Sequence, residues 1–368
     1  MSRICLIYNF AQHYRTNIFT LMDQQMDIDF VFGEKYLNVK KMDYSLLKHK
    51  VTEVKTIELV GSLDWQCGVV KQLFKGYDKF ILLGKPMSIS TWLVLVLGRL
   101  MGKEIYFWTH GWYGKEGKGK SLIKKVFFGL ANGTMTYGNY ARNLMIKEGL
   151  RAEKITTIHN SLMYDEQIKM RTLLAPSPIY KNRFGNDNPV IIFVGRLTPI
   201  KKLDQILEAQ AICKVRGYVF NVVFIGDGTE KERLEKKVES LELTDSVWFY
   251  GPSYDEKELS SLIYNADLCV APGNIGLTAM HAMVYGCPCM SHNDFPYQMP
   301  EFEAIQEGKT GGFFERDNIT SLADNIQKWF HEHQNDRELV RQNCFKEIDE
   351  QWNPHVQIEI IKKAIGKC

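Results

Sequence analysis

Residues 190–202, VIIFVGRLTPIKK, run from five apolar residues into a glycine, an arginine and a pair of lysines. A short apolar run bounded by a turn reads as a strand buried on both faces, the kind that lies inside a parallel sheet. Gly195 and Arg196 follow the strand, and Pro199 is expected to open a helix with Lys201 and Lys202 in its first turn. A helix amino end is already positive, so cations gathered there make sense if an anion docks among them. A nucleotide diphosphate suits the arrangement: Arg196 offers a planar fork, Lys201 a point charge and the helix its free amides.

On both sides of this segment, short β-rich runs alternate with longer stretches of helical spacing. Before it they fall at 4–8, 28–32, 80–83, 105–108, 135–137 and 155–158; from it onward at 190–194, 222–225, 247–250, 268–270 and 289–291. Such alternation builds parallel sheets covered by helices. The looser stretch 175–188, with its prolines and polar turn residues, reads as a linker. The expected division is a first Rossmann-like domain over 1–174, completed by a closing helix in 353–368, and a second over 175–352. Two doubly wound domains in series place their ligand chemistry just after strands, along a shared cleft.

The chain has 368 residues, of which 45% are hydrophobic and 24% charged, which suits two ordinary globular domains and excludes a disordered or fibrous protein. Its eight cysteines form no CxxC pair and several lie in apolar runs, so they read as reduced core residues of a cytoplasmic protein. Cys287 and Cys289 have no His or Cys partners nearby and are expected to pack a strand. The amino terminus, MSRICLIYNF, leads into a strand pattern without a cleavage site, and the most apolar stretch, 92–97, is too short to span a bilayer. The net charge of +3 conceals an imbalance, since residues 1–170 carry 24 Lys and Arg against 15 Asp and Glu. The first half is thus expected to meet an anionic partner, whether nucleic acid, a membrane surface or a phosphorylated acceptor; of these, nucleic acid is not the partner expected for the chain.

GRLTPIKK resembles the GRLxxxKG element of the retaining GT-B glycosyltransferases of family GT4, with Arg196 and Lys201 on the two cationic positions and Lys202 in place of the usual glycine. Further matches follow in that family's order: FIGDG at 224–228, VWFYG at 247–251, NADLCVAPG at 265–273, GLTAMHAMVYGCPC at 276–289 and GKTGGFF at 308–314. The resemblance implies a GT-B fold and transfer of a sugar from a nucleotide-diphosphate sugar to a glycan or lipid-linked acceptor. The motif PGNIGLTAMHA followed by MPEFEAI resembles a subgroup seen among bacterial surface-polysaccharide glycosyltransferases. The family resemblance also implies that Arg196 and Lys201 hold the donor diphosphate and stabilise the charge growing on the leaving group. Gly195, Gly276, Leu277 and Thr278 would meet phosphate and sugar, and Gly251 to Tyr254 the nucleobase.

The family carries two glutamates around this glycine-rich turn, one for the donor sugar and one for the ribose. Here those positions hold Gly273 and His281. A histidine can still hydrogen-bond a ribose, whereas glycine offers no side chain; Asn274 is the neighbouring substitute, and Glu301 or Glu303 in MPEFEAI can supply an acid. Glutamate restored at 281 is expected to be tolerated. In the first half, YFWTHGWYG at 106–114 sets His110 directly after a strand, and similar glycosyltransferases use a histidine there on the donor sugar. His13 and Arg15, after the first strand, are candidate acceptor or phosphate contacts. Lys115, Lys118, Lys120, Lys124 and Lys125 interleave with Trp112, Tyr113, Phe127 and Phe128, a pattern that suits peripheral contact with anionic lipid.

GDG at 226–228 lacks the third glycine of a dinucleotide fingerprint, which argues against a dehydrogenase. Asp27 and Asp29 begin a strand and point away from the usual site, so no metal and no cofactor beyond the nucleotide sugar are expected. The alternatives are a GT-B epimerase or hydrolase of nucleotide sugars, and a non-catalytic protein that binds them.

Overall fold

The computed structural model describes residues 2–35 and 39–366. Its residues separate into two compact units, one running through Met163 and resuming at Asn353, the other spanning Tyr164–Trp352.

The first unit is built on nine strands: β1 (Ile4–Tyr8), β2 (Ile28–Gly33), β3 (Val51–Val54), β4 (Thr56–Glu58), β5 (Asp64–Gln66), β6 (Lys79–Leu83), β7 (Glu104–Thr109), β8 (Gly133–Thr136) and β9 (Ile155–Thr157). Seven form a parallel sheet in the order β3-β2-β1-β6-β7-β8-β9, and β4 and β5 make a small antiparallel pair. The order reverses at β1, the signature of a doubly wound sheet. Helices α1 (Thr16–Gln25), α2 (Ile89–Leu100), α3 (Lys118–Gly129) and α4 (Asn139–Lys147) connect the strands. One core layer joins the sheet to α1 and to the chain's last helix, Pro354–Ala364; the other joins it to α2, α3 and α4. The last helix is tied down at both ends. Gln357 donates to the His159 carbonyl and Lys79 Nζ to the Ile365 carbonyl, each at 2.7 Å.

The second unit begins with α5 (Tyr164–Arg171) and α6 (Ile179–Phe184). It continues through β10 (Val190–Val194), α7 (Asp204–Val215), β11 (Asn221–Ile225), α8 (Lys231–Ser240), β12 (Val247–Gly251) and α9 (Glu256–Asn265). Then come β13 (Leu268–Ala271), α10 (Leu277–Met283), β14 (Cys289–His292), β15 (Gly311–Phe314), α11 (Ile319–Glu332) and α12 (Arg337–Glu350), before the closing helix α13 (Pro354–Ala364). The sheet is parallel with order β12-β11-β10-β13-β14-β15, again doubly wound.

Three expectations change. The division falls after Met163 and not after 174, because α5 is bound to the second unit: Arg171 makes a two-pronged pair with Asp349, and Gln167 donates to Glu256. The stretch read as linker contains α6, whose Tyr180 hydroxyl reaches the Leu262 carbonyl. The helix after Arg196 starts at Asp204 and not near Pro199. Pro199–Lys201 is a separate tight turn, broken from α7 by Lys202 in the left-handed conformation, φ 50°. That position asks for glycine, and Lys202 occupies it with its ammonium paired to Asp317.

Candidate functional site

In the second unit, four neighbouring strands finish at or just before glycines: β10 at Gly195, β11 at Gly226, β12 at Gly251 and β13 at Gly273. At Gly226 and Gly273 the reason is close approach. A Cβ on Gly226 would stand 1.9 Å from the Gly195 carbonyl oxygen, and one on Gly273 1.9 Å from that of Ile200. At these two points the carboxyl edge of the sheet is packed backbone with no room for a side chain.

Some of the sequence-predicted donor residues lie at this edge. Lys201 Nζ donates to the Asn274 carbonyl at 2.7 Å and to its side-chain oxygen at 2.9 Å. Thr278 Oγ1 donates to the Val194 carbonyl, fixing the first turn of α10 against the end of β10. Gly276 takes φ 55° and ψ −146° at the amino end of α10, a backbone conformation that favours glycine. Arg196 is exposed, and its guanidinium has no hydrogen-bond or ion-pair partner among the described residues. Burial pushes Lys201 down to about 8, opposed by the Glu301 carboxylate and assisted by Arg196. Glu301 is 1% exposed, so the turn Pro300–Ala304 is no solvated helix start. Glu303 beside it is half-buried. Tyr254 stands fully in solvent beyond Gly251.

Two residues that hold this turn escaped the sequence reading. Gln298 is buried, accepts the Ile275 N–H and donates to Ser291 Oγ, whose hydroxyl donates to the Ala271 carbonyl. The other is Glu256, at the start of α9. Its Oε1 receives Tyr285 Oη at 2.6 Å, Gln167 Nε2 at 3.1 Å and His281 Nε2 at 3.1 Å. Burial raises the Glu256 carboxyl, but the His281 bond and charge, with Tyr285 and Gln167, outweigh it and hold the group down to about 2. A carboxylate thus stands beside position 281. Nothing in the local spacing signals this, since 25 residues separate the pair.

The pairing reverses one expectation. A glutamate at 281 would face Glu256 at hydrogen-bond distance, and like charges there destabilise each other. We expect His281→Ala to weaken nucleotide binding roughly tenfold with little change in kcat, as a lost hydrogen bond of about 1.4 kcal/mol would. His281→Glu is expected to bind worse still, and His281→Glu combined with Glu256→Gln to recover. Titration calorimetry with equal affinities across the set would remove His281 and Glu256 from the nucleotide site.

In the first unit, Arg15 and His110 come together while His13 does not. Arg15 is buried, donates to Tyr137 Oη at 2.8 Å, and lies 5.2 to 5.9 Å from the rings of Tyr137, Trp108, Tyr8 and Tyr14. The His110 ring sits 4.7 Å from that of Tyr137, directly after β7, with Nδ1 buried and unbonded among the described residues. Burial first, then the Arg15 charge, lowers His110 to about 4, so it is a neutral hydrogen-bonding group near pH 7. His13 is exposed, with Nδ1 3.3 Å from the Lys40 carbonyl. Asp29 of the DxD pair is taken up by Arg3 and the Tyr77 hydroxyl. Cys287 and Cys289 are both buried, Cys289 on β14.

Residues 179–346 match the family described as Glycosyl transferases group 1. An uncharacterized 41.2 kDa protein in the cps region of Klebsiella pneumoniae is 28% identical over 229 residues, 60% of this chain and 58% of that protein. The alpha-D-kanosaminyltransferase of Streptomyces kanamyceticus is 25% identical over 50% of this chain and 46% of its own. The chain spans about half the length of the curated relatives it matches. Among solved structures, Anabaena HepE in complex with UDP superposes with a TM-score of 0.72 at 16% identity, covering 98% of this chain and 99% of that one. The apo lipopolysaccharide outer core galactosyltransferase WaaB gives 0.73 at 17% identity, covering 99% of each. The two-unit architecture is the GT-B fold.

Proposed function

We propose, for a chain whose residues 179–346 match the family described as Glycosyl transferases group 1 and whose fold is GT-B, that it transfers a sugar from a nucleotide-diphosphate sugar to a glycan or lipid-linked acceptor in surface-polysaccharide assembly. The observation that supports this best is the pair of cations at the end of β10: a desolvated Lys201 held on Asn274, and Arg196 with no partner among the described residues. Cations kept without a carboxylate in direct contact, beside strand-end glycines, fit a diphosphate laid close against backbone.

In the proposed reaction the anomeric carbon–oxygen bond breaks with its electron pair going to the diphosphate. Arg196 and Lys201 meet that charge. The acceptor oxygen attacks from the same face and its proton passes to the departing phosphate, so the configuration is retained. Glu301, near Lys201, favours the charged form of the lysine and takes no covalent part. Neutral His110 hydrogen-bonds the sugar, and the nucleobase stacks near Gly251 and Tyr254. No divalent cation takes part, and chelator is expected to leave the rate unchanged. A lipid-linked acceptor brings the protein to the cytoplasmic face of a membrane as a peripheral partner; among the described residues no helix is long and apolar enough to cross one.

The test is a panel of nucleotide sugars, UDP-glucose among them, with nucleoside diphosphate release followed with and without acceptor. Release that needs an acceptor supports transfer; release without one makes the protein a hydrolase, and binding without release makes it an epimerase if the sugar is converted and a non-catalytic binding protein if it is not. Proton NMR coupling at the new anomeric centre reads the stereochemistry, and inversion would overturn same-face attack.

A further inference from the structure

Helices α2 and α3 are apolar on both faces. Their inner residues, such as Val94, Leu95, Phe127 and Phe128, fill the core under the sheet. Their outer faces carry Leu93, Val96 and Leu100 on α2, and Leu122, Ile123 and Val126 on α3, all exposed, with Leu100 at 80% and Leu122 at 64%. The spacings, i, i+3, i+7 and i, i+1, i+4, put each set on one side of its helix. The two helices are consecutive crossovers flanking β7 on one side of the sheet, and Trp92 of α2 meets Phe127 of α3 at 4.8 Å between ring centroids. The outward stripes therefore lie side by side. Single exposed leucines are ordinary, but a shared stripe across two helices marks an interaction surface.

Charge says what covers it. Residues 85–130 hold eight Lys and Arg against two Glu. Both acids are engaged: Glu116 by Lys124, and Glu104 by the Tyr106 hydroxyl and Lys79. Lys118, Lys120 and Lys125 are exposed on α3 among the apolar residues. The aromatic residues that suggested lipid contact in the sequence do not supply it, since Trp112, Phe127 and Phe128 are buried. The leucines, isoleucine and valines that alternate with the lysines are the ones that face out. An apolar centre ringed by cations matches an anionic bilayer, acyl chains below and phosphates around.

We propose that the outer face of α2 and α3 docks on an anionic phospholipid bilayer, with Leu100, Leu122, Ile123 and Val126 entering between headgroups and Lys118, Lys120 and Lys125 meeting phosphates. The proposal extends the transferase reading by giving a lipid-linked acceptor its meeting place, but the binding itself needs no donor. The test sediments the full chain with vesicles of phosphatidylcholine alone, or with added phosphatidylglycerol, at low and physiological salt. Wild type is expected to pellet with the anionic vesicles and to weaken with salt. Lys118→Ala, Lys120→Ala and Lys125→Ala together should lower partitioning about a hundredfold at low salt. Leu122→Ser with Val126→Ser should lower it about tenfold or more. Melting temperature and turnover on a water-soluble acceptor should not move, because all five side chains are exposed and outside the donor site. Wild type left in the supernatant with anionic vesicles, or both variants pelleting like wild type, overturns the proposal. So does a vesicle-free dimer that the serine pair dissociates, which would assign the face to a second copy. Pelleting by a protein that releases no nucleotide would instead overturn the transferase reading and leave the docking standing.

Discussion

Arg196→Ala and Lys201→Ala are each expected to lower turnover by about two to three orders of magnitude, with the fold intact. Each removes a charge placed where the leaving diphosphate gains its own, and single contacts of that kind contribute on this scale. The effect should fall on kcat, since the charge they meet is largest in the transition state. The two differ in pH dependence. The pH dependence expected here is the lysine's. Burial sets Lys201 near 8, so the free protein loses this cation as pH rises through that value, and kcat/KM should fall on the alkaline side with a midpoint close to 8. A bound diphosphate favours the charged lysine and moves the limb of kcat upward. Lys201→Arg should retain part of the activity and lose the alkaline limb. Wild-type turnover in either alanine variant, with the same donor, would take that residue out of the site; an unchanged limb in Lys201→Arg would assign the titration to another group.

Most of the scaffold was legible in the residues because buried parallel strands announce themselves. The runs at 4–8 and 190–194 became β1 and β10 with the same bounds. The strands that went unread lack that signal. β3 is VTEV at the edge of its sheet, with only Val54 buried, and half of β15, GGFF, is glycine. Gly311 is there because a Cβ would stand 1.7 Å from the Cys289 carbonyl oxygen, a demand of the neighbouring strand that a propensity cannot foresee. The cationic turn was visible as a motif, but the start of α7 was misplaced because Lys202 takes a conformation its side chain disfavours. Glu256 and Gln298 could not be found from local spacing. Each acts on a segment 25 or 23 residues away, and only the packing of α9 and of the 295–304 segment on α10 brings them in.

Gly273→Glu, which restores the acid that the GT4 family carries at this position, is expected to abolish activity. The glycine reads at first as a loss, a carboxylate gone with Asn274 left to stand in for it. The structure gives a different reason. The Gly273 N–H donates to the Lys201 carbonyl at 3.0 Å, and a Cβ here would lie 1.9 Å from the Ile200 oxygen and 2.8 Å from Lys201 Cα. Those atoms are backbone and cannot swing aside, so any side chain pushes the 199–201 turn away and takes Lys201 off Asn274. Even Gly273→Ala should cost about 3 kcal/mol, the upper end of ordinary overpacking, and remove most of the turnover with it. Gly276→Ala is the comparison. Its φ of 55° with ψ −146° imposes about 1 to 3 kcal/mol of backbone strain, but its Cβ would meet nothing closer than Met299 Cγ at 3.6 Å. Urea unfolding should therefore rank Gly273→Ala as clearly worse than Gly276→Ala, and turnover should follow the same order. If Gly273→Glu folds with wild-type stability and turns over faster than wild type, position 273 has room for the acid, and the close packing of Gly273 on the 200–201 backbone is wrong.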